Sequence, residues 1–169
     1  YFTNRPYGSD PSEVKLIQMF AVDYDYLALY SPEMLCGRGF SEAYGNERNK
    51  VVLNEEAVRL LGYPSPEEAL GKQLEMEVLE DPLEVVGVVK NYHQQSLAEP
   101  YKPILFFLKE RVPFIATPYI SVKMDGPVNS DCLAEVEQMY RTYFPSALFS
   151  YFYLCLLYTS PSPRDRTRS

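Results

Sequence analysis

The chain has 169 residues, of which 46% are apolar and 23% charged, a composition typical of one folded domain. Sixteen Lys and Arg against 23 Asp and Glu give a net charge of −7, so a nucleic-acid partner, which needs a basic surface, is not expected. A single histidine and three cysteines without a C-x-x-C spacing argue against a structural zinc site.

Neither a leader nor a membrane span is predicted. The chain starts at Tyr1 with no basic segment followed by an apolar one, so the sequence does not indicate a signal peptide. The nearest uncharged apolar stretch, Ala147 to Tyr158, is shorter than the roughly 18 to 20 residues that cross a bilayer. The sequence predicts a soluble chain or the soluble part of a membrane protein, and we expect it to be a piece of something longer.

The first 50 residues predict one core strand, one short helix and two loops. Residues 1–13 contain Pro, Gly and Asn without a period and predict a loop or an extended lead-in. Val14 to Val22 alternates and then becomes fully apolar, as in a strand that enters a core. Asp23 or Asp25 then caps a short helix through Tyr30, and a polar loop leads to the next strand.

The block from Lys50 to Val89 carries the clearest local signals. A short strand to Leu53 is followed by Asn54 as a helix N-cap, two glutamates in the first turn, and Gly62 just past the helix end. The run Ser65-Pro66-Glu67-Glu68 has the capping-box pattern of a second short helix.

The same block ends in a predicted β-hairpin. Gln73 to Leu79 alternates as a half-exposed strand, and Leu83 to Val89 forms its partner after an acidic turn. The inward faces of these strands and of the first helix predict one core. Its members are Val51, Leu53, Val58, Leu61, Leu74, Val86 and Val88.

A polar segment, Asn91 to Pro103, crosses to a buried strand at Ile104 to Leu108. We expect this segment to separate two lobes. The predicted fold class is therefore α+β and two-lobed, with a β-α-β lobe and a smaller β-rich lobe.

The β-α-β unit is predicted in the last third of the chain. Tyr119 to Met124 alternates and Ala147 to Tyr153 is apolar, so each predicts a strand. Between them a helix runs to Phe144, with Ser130 or Asp131 as its cap. Its predicted buried stripe consists of Leu133, Val136, Tyr140 and Tyr143. Residues 154–169 are rich in Ser, Pro and Arg, and we expect a disordered tail that is not native to the domain.

His93 and Ser96 are candidate catalytic residues because they follow a strand end, where catalytic side chains often lie. No G-x-S-x-G turn surrounds Ser96, and no third group is placed to orient the pair. The favoured interpretation is a loop histidine that hydrogen-bonds the connection between the lobes.

The acidic candidates also have simpler interpretations. Asp23 and Asp25 could act as an acid-base pair or hold a hard cation, but helix capping is favoured. The run Glu75, Glu77, Glu80 and Asp81 lacks the residue order of a calcium loop and predicts a solvated strand face.

Two further patterns bear on binding and redox roles. Gly37-Arg38-Gly39 has only two glycines of a dinucleotide fingerprint, and no P-loop is present. Cys36 and Cys132 could form a disulfide in an oxidising compartment or be small buried apolar residues. We therefore assign no catalytic, cofactor-binding or metal-binding residue, expect no cofactor, and do not expect an enzyme.

Three blocks in order carry a resemblance to a known family: VDYDYLALYSPEMLCGRGF, KVVLNEEAVRLLGYPSPEEALGKQLEM and LEVVGVVKNYHQQSLAEPYKPILFF. The chain resembles the MacB-like periplasmic core domain of ABC transporter permeases, in the FtsX-like variety common in Bacteroidetes. The most specific parts are VVLNEEAVRLLG and VVGVVKNYHQQSL.

The resemblance implies a non-catalytic domain on the periplasmic face of the bacterial inner membrane, truncated at both ends. It would transmit ATP-driven movement for efflux, lipoprotein release or cell-envelope regulation. Implied partners are an ABC ATPase subunit reached through the missing transmembrane helices, a second permease copy, and a periplasmic adaptor or envelope protein.

The implied domain spans residues 1–153, with a porter-like lobe at about 14–23 and 101–153 and an inserted lobe at about 24–100. The alternative is a periplasmic ligand-binding or sensing module, in which aromatic residues of Tyr24 to Tyr30 and Tyr140 to Tyr153 line a pocket.

Overall fold

The structure, a computed structural model, describes residues 1–77, 79–92, 100–111 and 119–153. The chain divides into two compact units. The described part of the first contains residues 1–77, 79–92 and 100–111 together with Tyr119, and that of the second contains residues 120–153. His93, Ser96 and the tail 154–169 lie outside the described residues.

The first unit is built on a single sheet with three short helices. Its strands are β1 (Phe2–Pro6), β2 (Lys15–Val22), β3 (Met34–Gly37), β4 (Lys50–Asn54), β5 (Gln73–Met76), β6 (Leu83–Val89) and β7 (Ile104–Leu108). Its α-helices are α1 (Tyr26–Tyr30), α2 (Glu55–Leu60) and α3 (Pro66–Ala69), and single 3-10 turns cover Glu42–Tyr44 and Lys109–Arg111.

Six of these strands close into a barrel in the order β1-β2-β7-β4-β6-β5. Closure depends on β5, which pairs antiparallel with β1 on one side and with β6 on the other. β3 pairs antiparallel with the carboxyl-terminal part of β6, beyond the stretch that β5 occupies. A closed barrel leaves few unpaired strand edges within these six strands.

Apolar side chains form two clusters. The first joins buried residues of α2 and α3 to strand residues, and its largest fully buried members are Ile17, Leu53, Leu74, Leu83, Leu105 and Phe107. The second joins α1 and the loop residue Phe40 to other strand residues, around the fully buried Phe106. β7 has all five residues buried and contributes to both clusters, so it lies at the centre of the fold.

The local signals of the Lys50–Val89 block are confirmed. Asn54 caps α2 through a hydrogen bond from the Ala57 amide to its Oδ1, 3.0 Å long. Gly62 has φ +82 after the last turn, where glycine carries no Cβ penalty, and the Tyr63 amide reaches back to the Val58 carbonyl. Ser65 caps α3, with Pro66 as its first residue.

The predicted hairpin and six of the seven predicted core residues are also confirmed. β5 pairs antiparallel with β6, and Val86 is the residue that differs, because it packs in the second cluster. A bulge at Val86 interrupts the β4–β6 ladder, since Val51 pairs with Val85 and the next residue of β4 pairs with Gly87. The bulge changes which residues face each side, so Leu83, Val85 and Val88 share the first cluster.

β1 differs from the sequence prediction. Residues 1–13 predict a loop or an extended lead-in without a partner strand, whereas Phe2–Pro6 forms a strand with a neighbour on each side. Its sequence contains Asn4 and Pro6, residue types that are rare in strands, so the local signal opposed the assignment. Pairing with β2 and β5 overrides that preference.

The predicted division into two lobes also differs from the sheet. β7 pairs with both β2 and β4, so strands assigned to separate lobes share one barrel. The fold class is confirmed in part, as a mixed domain of a six-stranded barrel plus helices. A local sequence pattern identifies a strand but not the strands with which it pairs. That pairing decides whether strands belong to one lobe or to two.

In the second unit the predicted helix is present and the predicted strands are not. The helix α4 spans Ser130–Tyr143, and its cap is Asn129, whose Oδ1 accepts from the Cys132 amide at 2.9 Å. Tyr119–Met124 and Ala147–Tyr153 form no strand. An alternating pattern indicates that one side of an extended segment would be apolar, but a β-strand also needs a neighbouring strand with which to pair. None of the α4 residues is fully buried, and Tyr143 of the predicted stripe is exposed.

Candidate functional site

Two polar segments converge at the amino-terminal end of α2. Asn54 is 1% exposed, and its Oδ1 accepts from the amides of Ala57 and Ile104, at 3.0 and 2.8 Å. Its Nδ2 donates to the Lys102 carbonyl at 2.8 Å. One buried side chain therefore joins the end of β4, the first turn of α2 and the start of β7.

Asn91 makes a matching connection from the end of β6. Its side-chain Oδ1 accepts from the backbone amide of Glu56 at 3.1 Å. The backbone amide of Asn91 donates to the Glu55 carboxylate at 2.7 Å. We call the set Asn54, Glu55, Glu56 and Asn91 the α2 junction. Asn54 belongs to VVLNEEAVRLLG and Asn91 to VVGVVKNYHQQSL, so the two most specific sequence blocks meet there.

The chemistry of the α2 junction is that of a connection. The side-chain amides of Asn54 and Asn91 accept from backbone amides, that of Asn54 also donates to a backbone carbonyl, and the Glu55 carboxylate accepts from a backbone amide. All of these bonds run between a side chain and the backbone, which is not the arrangement of a nucleophile and its base. Because these bonds satisfy the free amides of the helix start, they fix α2 relative to three strands.

A buried carboxylate organises the loop between β3 and β4. Glu47 is 1% exposed, and its Oε2 accepts from the Ser41 amide at 2.9 Å. Its Oε1 lies 2.6 Å from Arg38 Nη2, as an ion pair without good hydrogen-bond alignment. Contact with Glu47 raises the pKa of Arg38, whose guanidinium also lies 3.8 Å from the ring centre of Tyr44. The loop that the sequence predicted only as polar is held by this pair.

The acidic residues of and after β5 contact side chains of β1, the adjacent strand, and of the turn after β7. Arg5 donates to the Glu75 carboxylate, with an Nε–Oε2 distance of 2.7 Å, and this bond is the main cause of the lowered pKa of Glu75. Thr3 donates to Glu77 at 2.9 Å, and Asp81 lies 3.6 Å from Arg111. These carboxylates connect separate elements of the fold, whereas the sequence predicted only a strand face exposed to solvent.

The other described candidate residues from the sequence lie at separate places in the structure. Asp25 stands at the start of α1 but makes no side-chain capping bond. Cys36 and Cys132 are free thiols, and burial raises the pKa of Cys36. Gly37 and Gly87 serve a close backbone approach, since a Cβ on Gly87 would lie 2.2 Å from the Arg38 carbonyl oxygen.

The described residues contain neither a cluster of metal-ligating side chains nor a helix that could cross a membrane. Within residues 1–77, 79–92, 100–111 and 119–153, no three His, Cys, Asp or Glu side chains converge as metal ligands. No helix in that part of the chain combines the length and the apolar character that a bilayer crossing needs. A surface depression of about 470 Å³ lies along α4 and is lined by Ala134, Glu137, Gln138, Arg141 and Thr142.

The fold and the α2 junction define a class of protein: a mixed α/β domain on a six-stranded barrel whose polar side chains connect its elements. The periplasmic region of MacB from Actinobacillus actinomycetemcomitans superposes with a TM-score of 0.58 at 18% identity, covering 85% of this chain and 63% of that chain. A domain of a putative permease protein from Porphyromonas gingivalis gives 0.56 at 11% identity, covering 84% and 64%.

The sequence matches the family model for the MacB-like periplasmic core domain over residues 2–135, and the chain belongs to this family. It is also 33% identical over 122 residues to YvrN, an uncharacterized ABC transporter permease of Bacillus subtilis strain 168. That match covers 68% of this chain and 29% of the permease, so the chain spans less than a third of that relative. The resemblance drawn from the sequence, to the periplasmic core domain of an ABC transporter permease, is confirmed.

Proposed function

We propose that the chain is a non-catalytic extracytoplasmic domain that passes ATP-driven movement of a permease to a substrate or a partner. The membership of the MacB-like periplasmic core domain family is the observation that carries the proposal. It supports a place outside the cytoplasmic membrane and a role in a permease, as in the Bacillus relative.

The geometry supports a mechanical role. A domain that transmits force has to keep its elements in place, and buried hydrogen bonds of Asn54 hold α2 against the ends of β4 and β7. Leu61 adds an apolar connection, since it lies at the end of α2 and packs in the first core cluster.

The proposed partners follow from the same context. An ABC ATPase subunit would act through transmembrane segments outside this chain, beside a second copy of the permease. A periplasmic adaptor or an envelope protein would receive the movement. Efflux, lipoprotein release and cell-envelope regulation are the processes served by such permeases, and the net charge of −7 does not favour nucleic acid.

Leu61→Ala in the full-length permease tests the proposal. Loosening α2 should abolish transport while ATP hydrolysis by the partner subunit continues in part, so hydrolysis becomes uncoupled from transport. Arg59→Ala is the matched control, because Arg59 lies on the same helix with an exposed side chain. Unchanged transport in Leu61→Ala with a measured loss of stability would contradict the proposal, as would ATP turnover by the purified chain itself.

A further inference from the structure

β1 is held in the closed barrel by a short ladder on each side. It pairs with β2 through three residues and with β5 through three, and Asn4 is the one position that pairs with both. By comparison, β2 and β7 pair through five residues, as do β4 and β6. β4 and β7 pair with each other through three, but each has a five-residue ladder on its other side. β5 and β6 pair through two, and backbone hydrogen bonds from the Gly71 amide to the Val85 carbonyl and from the Val85 amide to the Lys72 carbonyl extend that connection. Among the described strands, β1 alone joins β2 to β5, so its release would open the barrel.

The side chain at the centre of β1 disfavours the closed state. Asn4 is 1% exposed, and it shares a face with Met76 of the first core cluster, which lies directly opposite. Its Nδ2 donates to the Phe2 carbonyl at 2.9 Å, but its Oδ1 is buried with no hydrogen-bond partner among the described residues. A buried acceptor without a partner costs free energy that it regains in water.

The contrast with Asn54 shows that burial alone is not the cause. Asn54 is equally buried, yet its Oδ1 accepts two hydrogen bonds and its Nδ2 donates one. The outward side chains of β1 add only the Thr3–Glu77 and Arg5–Glu75 contacts, which are partly exposed to solvent. Exposed polar pairs of this kind stabilise weakly.

We infer that β1 is a release strand: it detaches from β2 and β5 in a minor population while the other five barrel strands stay paired, and the buried Asn4 sets that population. The inference concerns the conformational equilibrium of the fold and does not rest on the proposed function.

Native-state hydrogen exchange of the full chain tests the first part. Amides of β1 should exchange faster than those of β7, and their rates should depend little on added denaturant, as for a local opening. Equal protection of the two strands would overturn the inference. This measurement needs no variant. A Gly-Ser extension before Tyr1 controls for fraying of the chain end, and loss of the difference in the extended chain would also overturn the inference.

Asn4→Leu tests the role of the side chain. Leucine has a similar volume and no buried acceptor, so exchange of β1 amides should slow by about tenfold or more. Thr3→Val is the matched control on the outward face of the same strand and should not slow exchange. Unchanged or faster exchange in Asn4→Leu would show that Oδ1 is satisfied in the closed barrel and would overturn the inference.

Discussion

Glu47 shows how one residue turns a polar loop into ordered structure. Its carboxylate lies almost fully out of water, while the side chain of its partner Arg38 is about one third exposed. The pair therefore differs from the surface pair Lys90–Glu33, in which both side chains are more than half exposed. Removing the cation should lower the stability of the fold much more at the Arg38–Glu47 pair than at the Lys90–Glu33 pair, because a buried charge without a partner is costly.

Arg38→Met keeps the aliphatic part of the side chain and removes the charge. We expect a loss of about 3 kcal/mol in the free energy of unfolding, measured by urea denaturation, because the Glu47 carboxylate stays buried without its cation. Adding Glu47→Gln should restore much of the loss. Lys90→Met makes the same chemical change at the exposed pair and should leave the free energy of unfolding almost unchanged. Equal effects of the two single changes would contradict the role given to Glu47.

Glu75 should make the pairing of β1 and β5 sensitive to acid. Its pKa is lowered in the folded chain, chiefly by the hydrogen bond from Arg5, from an ordinary value of 4.5. A carboxyl group with a lowered folded-state pKa stabilises the fold above its unfolded-state pKa, and this contribution is lost as the pH falls through the folded-state pKa.

The urea midpoints of the wild type and Glu75→Gln should therefore differ at neutral pH and converge as the pH falls below 4.5. Arg5→Gln should remove the same pH-dependent difference, since it takes away its cause. A difference that stays constant down to the acid limit of folding would show that Glu75 contributes through packing instead.

At the scale of elements, α2 and α4 have opposite surroundings. Leu61, at the end of α2, is buried in the first core cluster, whereas Leu133 of α4 is only partly buried and no α4 residue is fully buried. Leu61→Ala should lower the free energy of unfolding by about 2 to 5 kcal/mol, as truncations of buried leucines do. Leu133→Ala, the same change, should cost less than about 1.5 kcal/mol. The comparison by urea denaturation fails if Leu133→Ala costs as much as Leu61→Ala.

At the scale of the whole molecule, barrel closure joins residues that are far apart in the chain. β2 pairs with β7, about 86 residues later, since Gln18 pairs with Ile104. By contrast β4, α2, α3, β5 and β6 are consecutive, and the paired residues of their strands lie at most 35 positions apart. Because long loops cost entropy before their contacts form, the consecutive block should form first and closure last.

Refolding kinetics check this order. Val85→Ala, in the consecutive block, should mainly slow refolding, whereas Ile17→Val, at the closure, should mainly speed unfolding. Both positions are fully buried in the first cluster, so the comparison is matched in burial. The reverse pattern in the denaturant dependence of the two rates would show that closure precedes formation of the block.

Much of the consecutive block was predictable because its signals are local. Asn54, Gly62 and Ser65 act within a few residues of their own positions, and a cap or a left-handed turn has the same requirement in any fold. The position of Val86 was not predictable, because the bulge arises where β3, Gly87 and β4 meet. The junction bonds of Asn91 were missed for the same reason, since its partners lie 35 and 36 residues away.

The sequence by itself determined the family, the capped helices, the hairpin and the buried strand at Ile104–Leu108, because these depend on residue type and short spacing. Only the tertiary structure decided that β1 is a strand, that β2 and β4 share a barrel, and that Asn4 and Glu47 are buried. A segment forms a β-strand only when other strands pair with it, and the burial of a polar side chain depends on the residues that pack around it. Both are properties of distant segments brought together, which no local pattern contains.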